Sequence, residues 1–175
     1  GSNIPSKNAV NGDAGYSVSL SNDGTIVAIG ERKYDTPDEQ AGQVHIWQRD
    51  TNAAMGWSQL GGGIDGDNAY DYAGTSVSLS SDGTIVAFGA PGHDAKGRVR
   101  VFQYDATKTS AVIDVNSANF GPVGWNRLGA DYDGEFNENN QFGNSVSLSS
   151  DGAILAIGAD GNDGPSNASS NTGMV

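Results

Sequence analysis

The 175-residue chain carries 21 acidic and 9 basic residues, a formal charge of −12, together with 26 glycines and no cysteine. A field of that sign repels phosphate backbones and anionic membranes, which argues against nucleic acid as a partner and favours cations and basic surfaces. Without cysteine there are no disulfides, no thiolate chemistry and no cysteine-held zinc, and no apolar run approaches the ~20 residues of a membrane span, so no membrane insertion is expected.

Residues 1–14 read as a lead-in, and the first patterned element starts at Gly15. Ser17-Val18-Ser19-Leu20-Ser21 alternates strictly, with Val18 and Leu20 on one face and serines on the other, which predicts a half-buried strand. Asn22-Asp23-Gly24 predicts a tight turn, because Asp and Gly tolerate positive φ. Thr25 to Ile29 is nearly all apolar and β-branched, so it predicts a more deeply buried strand, closed by Gly30. After a variable loop, Gly42-Gln43-Val44-His45-Ile46-Trp47 predicts a third strand with His45 on its solvent face. Trp57-Ser58-Gln59-Leu60-Gly61 predicts a fourth.

The passage then repeats. Gly15 to Gly30 returns as Gly74 to Gly89 and again as Gly143 to Gly158, at offsets of 59 and 69 residues. The third strand returns as Gly97-Arg98-Val99-Arg100-Val101-Phe102 and the fourth as Trp125-Asn126-Arg127-Leu128-Gly129. The modules are therefore 15–73, 74–142 and a partial 143–175. Four short strands per module, Gly/Asp turns and no helical period predict an all-β chain. The expected fold is a β-propeller segment of four-stranded antiparallel blades, about two and a half of them. A ring needs about four blades or more, so the chain is expected to continue into further repeats or to self-associate along its open strand edge.

The recurring Asp23, Asp82 and Asp151 belong to turns, since a catalytic acid need not appear in every module. Two other acidic loops space oxygen donors as hard cations require: Asp65, Asp67 and Asp71 in one, and Asp131, Asp133 and Glu135 in the other. These are the candidate Ca²⁺ ligands, weighed against solvated turns. Loop aromatics Tyr70, Tyr72, Tyr132 and Phe136, with His93 and Asp94, are the candidate partner contacts. Trp47, Phe102, Trp57 and Trp125 recur in register, which points to packing between blades. Asn167-Ala168-Ser169 is an N-glycosylation acceptor pattern at Asn167.

Phe142-Gly143-x-Ser145-Val146, the Ser-x-Asp-Gly turn, Gly89-Ala90-Pro91 and Gly97-x-Val99-x-Val101-Phe102 together resemble the FG-GAP repeat, which builds the propeller head of integrin α subunits. The resemblance covers Gly15 to the C-terminus. It implies a propeller at the cell surface or outside the cell, and a non-catalytic role in protein or glycan binding, adhesion or assembly. That family's calcium loop is shortened here to Asn22-Asp23-Gly24 and its equivalents, and one carboxylate cannot supply the ligands calcium needs. Two other functions stay open: a carbohydrate-active propeller enzyme (lyase or glycosidase), and an architectural repeat of a filament or coat.

Overall fold

The computed structural model describes residues 3–4, 12–135 and 140–161, and among them the protein is all-β with antiparallel sheets, none of them closed. The first sheet is a meander of β1 (Ala14–Leu20), β2 (Ile26–Glu31), β3 (Gln43–Arg49) and β4 (Trp57–Gln59), and β5 (Ile64–Asp65) also pairs with β3. The second repeats it with β6 (Ser76–Leu79), β7 (Ile85–Ala90), β8 (Arg98–Tyr104), β9 (Trp125–Arg127) and β10 (Tyr132–Asp133). The third is the hairpin of β11 (Phe142–Leu148) and β12 (Leu155–Ala159). The expected fourth strand is thus two short pieces in each complete sheet, broken where Gly61 and Gly129 take positive φ. The end of the third module, with Asn167, lies outside the described residues, as does Phe136.

Each inner hairpin is built by local chemistry. Ser21 Oγ donates to Asp23 Oδ1 (2.7 Å) and accepts from the Ile26 amide (2.9 Å), while Asp23 Oδ1 also takes the Thr25 amide (3.0 Å). Ser80, Asp82, Thr84 and Ile85 repeat this network, and so do Ser149, Asp151, Ala153 and Ile154. The carboxylates of Asp23, Asp82 and Asp151 are held below the usual range by these hydrogen bonds. They are turn residues, as expected.

The sheets stack face to face through contacts that recur at the module offset. Ser17 Oγ donates to the Gly74 carbonyl and Ser76 Oγ to the Gly143 carbonyl, both at 2.7 Å. Ser19 Oγ accepts the Leu79 amide (3.0 Å), and Ser78 Oγ accepts the Leu148 amide (2.9 Å). The Asn22 amide reaches the Ser81 carbonyl (2.8 Å), and the Ser81 amide the Ser150 carbonyl (2.7 Å). The serine face of each inner strand therefore docks the backbone of the next one. Gly30 and Gly89 permit the approach, since a side chain at either position would strike the Gly74 or Gly143 carbonyl.

Between the first two sheets lies the core: Ala28, Val44 and Ile46 from one meet Val77, Leu79, Val86, Phe88 and Phe102 from the other, with Trp125 at the edge. Trp125 is fully buried and donates its indole N–H to the Leu60 carbonyl (2.9 Å), so this aromatic packs between modules. His45 departs from expectation. It is buried, with Nε2 3.5 Å from the buried Glu31 carboxylate and its ring edge-on to Tyr34. Strand alternation assigned it to a solvent face, but the Tyr34 loop covers that face.

Candidate functional site

The two acidic loops meet on β8. Arg98 binds Asp133 through both oxygens (2.6 and 2.9 Å) and reaches Asp67 Oδ2 (2.9 Å). Arg100 bridges Asp67 Oδ1 (2.7 Å) and Asp131 Oδ2 (2.8 Å), and Arg127 holds Asp131 Oδ1 (3.0 Å). The Arg100 and Arg127 guanidiniums both lie over the Phe120 ring, 5.3 and 5.2 Å from its centroid. Burial opposes the charge on Arg100, but Asp131 and Asp67 more than offset it, so its pKa rises above the ordinary value. Burial likewise pushes Asp131 up, and Arg100, Arg127 and Arg98 outweigh that and hold it low. Asp133 is held low by Arg98.

This geometry bears on the calcium reading. All six oxygens of Asp67, Asp131 and Asp133 already accept from guanidinium groups, and three charges face three. Asp71 Oδ2 takes the Asp67 and Asn68 amides (2.9 and 3.0 Å) and His93 Nδ1 (2.8 Å). Asp67, Asp71 and His93 lie close enough to share an ion. Calcium needs six to eight oxygens, however, and would have to displace arginines to find them. The donor set does not fit it. Asp65 stands apart from this cluster: it accepts from the Gln43 amide, and burial raises its pKa.

Of the expected contact residues, Tyr70 and Tyr72 come together with ring centroids 6.3 Å apart, both at positive φ. His93 is buried against Asp71, and burial is outweighed by that carboxylate so that its pKa rises. It is therefore closed to a partner, while Asp94 beside it stays exposed. Tyr132 is half exposed on β10, where it pairs with Val99.

A further site emerges where the three modules meet. Asp13, Tyr72 and Gln141 are equivalent by offset and all adopt left-handed backbone, with φ of 54°, 57° and 51°. Such φ values are uncommon outside glycine. Each carbonyl accepts the amide three residues on, from Tyr16, Thr75 and Asn144 respectively. One turn, made three times, thus sets different side chains around a groove of about 460 Å³. Tyr16, Arg32 and Lys33 come from the first module, Tyr72, Thr75 and Pro91 from the second, and Gln141 and Asn144 from the third. Arg32 lies 3.8 Å over the Tyr16 ring and, like Lys33, contacts Asp13 Oδ2 at 3.1 Å. Two cations thus share one carboxylate, whose pKa they lower. Asn144 donates to Asp160 across the far end (3.1 Å).

Strand periodicity within one module carries no sign of this groove, because its residues come from three modules. Its signal is present in the sequence, as positions 13/72/141, 16/75/144 and 32/91/160, where the aligned modules carry different chemistry. The β8 arginines were legible too, alternating at Arg98 and Arg100 between two acidic loops. No protein-family model matches the chain, and no curated protein matches it in sequence. No helix among the described residues is long and apolar enough to cross a membrane.

Proposed function

We propose that this chain is a segment of an FG-GAP-like β-propeller and acts outside the cell or at its surface as a non-catalytic binding module. Its contact surface is the groove shared by the three modules, and its ligand is a glycan or protein segment rich in hydrogen-bonding groups. One observation carries the proposal: an identical backbone turn recurs three times, yet the side chains it aims into the groove differ at each turn. A repeat that served only to pack would gain nothing from that variety. The groove offers two tyrosines, amide and hydroxyl groups, and two of the chain's nine basic residues. Tyrosine faces suit sugar rings or side chains. The surplus cation suits a carboxylate, as an acidic sugar or an acidic side chain would supply.

A glycan array of neutral and uronate-bearing oligosaccharides tests this, with Arg32→Ala and Tyr72→Ala as probes. Uronate chains are expected to bind, and each substitution to weaken them. Binding indifferent to both substitutions would remove the groove from the account. Cleavage of the bound chains would favour the carbohydrate-active enzyme instead.

A further inference from the structure

The second module departs from the first between its third and fourth strands. From Phe102 to Trp125 the chain takes 23 residues, where Trp47 to Trp57 takes 10. The longer loop is pinned by backbone and side chains. Val112 and Gly121 exchange both backbone hydrogen bonds (2.9 and 3.0 Å), Lys108 Nζ donates to the Asn119 and Trp125 carbonyls (2.6 and 2.7 Å), and Arg127 donates to the Val115 carbonyl (2.7 Å). Even so, the loop encloses a space. It forms one wall of a cavity of about 430 Å³, opposite residues 63–67 of the first module, with the buried Phe102 and the Phe120 ring between them. Ile113 and Val115 line it as an open lip, 89% and 48% exposed. That volume falls among pockets that enclose a whole small ligand.

Two carboxylates line this cavity. Asp67 is neutralised by Arg98 and Arg100. Asp65 is not: it accepts from the Gln43 amide, and among the described residues no cation pairs with it, so burial raises its pKa. Gln43 is itself 7% exposed, and its Oε1 is buried without a partner. Gly63, in the cavity wall, admits that amide, because a Cβ there would lie 2.6–2.8 Å from its atoms. The corner thus holds more acceptors than donors, beside an apolar space. A buried carboxylate without a counter-charge costs stability, and a ligand that brings the cation removes that cost.

We propose that this cavity binds a small amphiphilic amine, with its ammonium on Asp65 and its apolar body against Phe102, Phe120 and the lip of Ile113 and Val115. An ammonium has three donors and no acceptor, the complement of the Asp65 corner. The chain's charge of −12 concentrates cations around it. The cavity shares no residue with the groove where the three modules meet, so the inference is independent of what that groove binds.

Titration of the isotope-labelled 175-residue chain with phenethylamine near neutral pH, followed by amide NMR shifts, is the test. Saturable shifts are expected across residues 63–67 and 112–121, with a Kd of about 1 mM or tighter. Phenethyl alcohol, the same body without the charge, should bind about tenfold more weakly or worse. Asp65→Asn, which keeps the side chain's shape and removes its charge, should weaken the amine by the same factor. The acetylated amide of lysine should also bind more weakly, since it offers no ring to Phe102 and Phe120. Equal binding of amine and alcohol overturns the proposal, and so does an Asp65→Asn variant that binds the amine as well as the parent chain does. Shifts that never saturate, or that scatter over the acidic surface, overturn it too. Tighter binding of the lysine amide would assign Asp65 to a partner protein's side chain and remove the small ligand. The alcohol comparison needs no variant, so the test stands even where Asp65→Asn fails to fold. Each of these results leaves glycan binding at the groove untouched.

Discussion

Replacing Gly89 by alanine tests the stacking of modules most directly. A Cβ at that position would lie 2.7 Å from the Gly143 carbonyl carbon and nearer still to its oxygen. Ordinary contact begins near 3.5 Å, so the third module must retreat by about 1 Å or more. That retreat breaks the Ser76 hydroxyl's bond to the same carbonyl, a loss of about 1 kcal/mol. Overpacking adds about 1–3 kcal/mol, for a total of roughly 2–4 kcal/mol. Gly30→Ala meets the Gly74 carbonyl in the same way, with its carbon at 2.9 Å, and should cost a similar amount. The chain supplies its own control, because Gly158→Ala meets only a serine side chain that is free to rotate. That change should be neutral, or stabilising by a few tenths to about 1 kcal/mol through the stiffer unfolded chain. Urea unfolding of all four proteins is the assay. Equal stabilities for Gly89→Ala and Gly158→Ala would refute the stacking geometry.

Arg100→Met should destabilise by about 2–3 kcal/mol; the loss stays below that of an isolated buried pair because Asp67 keeps Arg98 and Asp131 keeps Arg127. A result near zero in urea melts would show that the cluster contributes nothing net. Asp131 and Asp133 have depressed pKa values, so their stabilisation is present above about pH 4 and is lost as pH falls through the folded values; His93 has a raised one, so its share is full below about pH 6.5 and is lost as pH rises through the folded value. Unfolding measured across pH should therefore show acid and neutral limbs around a plateau, with the upper limb absent in His93→Asn. Asp65→Asn should raise stability at neutral pH by about 1 kcal/mol, since a buried carboxylate becomes neutral and the amide can serve Gln43 Oε1, which is buried without a partner. Calcium should leave the melting temperature unchanged, and a rise abolished by Asp67→Ala would reverse the conclusion that arginines occupy those oxygens.

The strands, their order and their turns were legible because each depends on residues only a few positions apart. Alternating serines, Asp-Gly corners and β-branched runs determine hairpins by local hydrogen bonding and backbone freedom, and the Ser21–Asp23–Thr25 network needs nothing from outside its own turn. Burial obeys a different rule. Ser17-Val18-Ser19-Leu20-Ser21 and Ser76-Val77-Ser78-Leu79-Ser80 are the same pentapeptide with opposite exposure of their apolar residues, because only the second has a sheet lying over it. For the same reason, alternation could place His45 and Arg100 on one face of their strands but could not tell that the Tyr34 loop covers the first and that Phe120 and two aspartates cover the second. The groove is the plainest case: Tyr16, Tyr72 and Gln141 are far apart along the chain, and they converge because serine hydroxyls hold three sheets at one spacing. Neighbours in sequence decide the conformation of each strand, and only neighbours in space decide which of its faces stays open to bind.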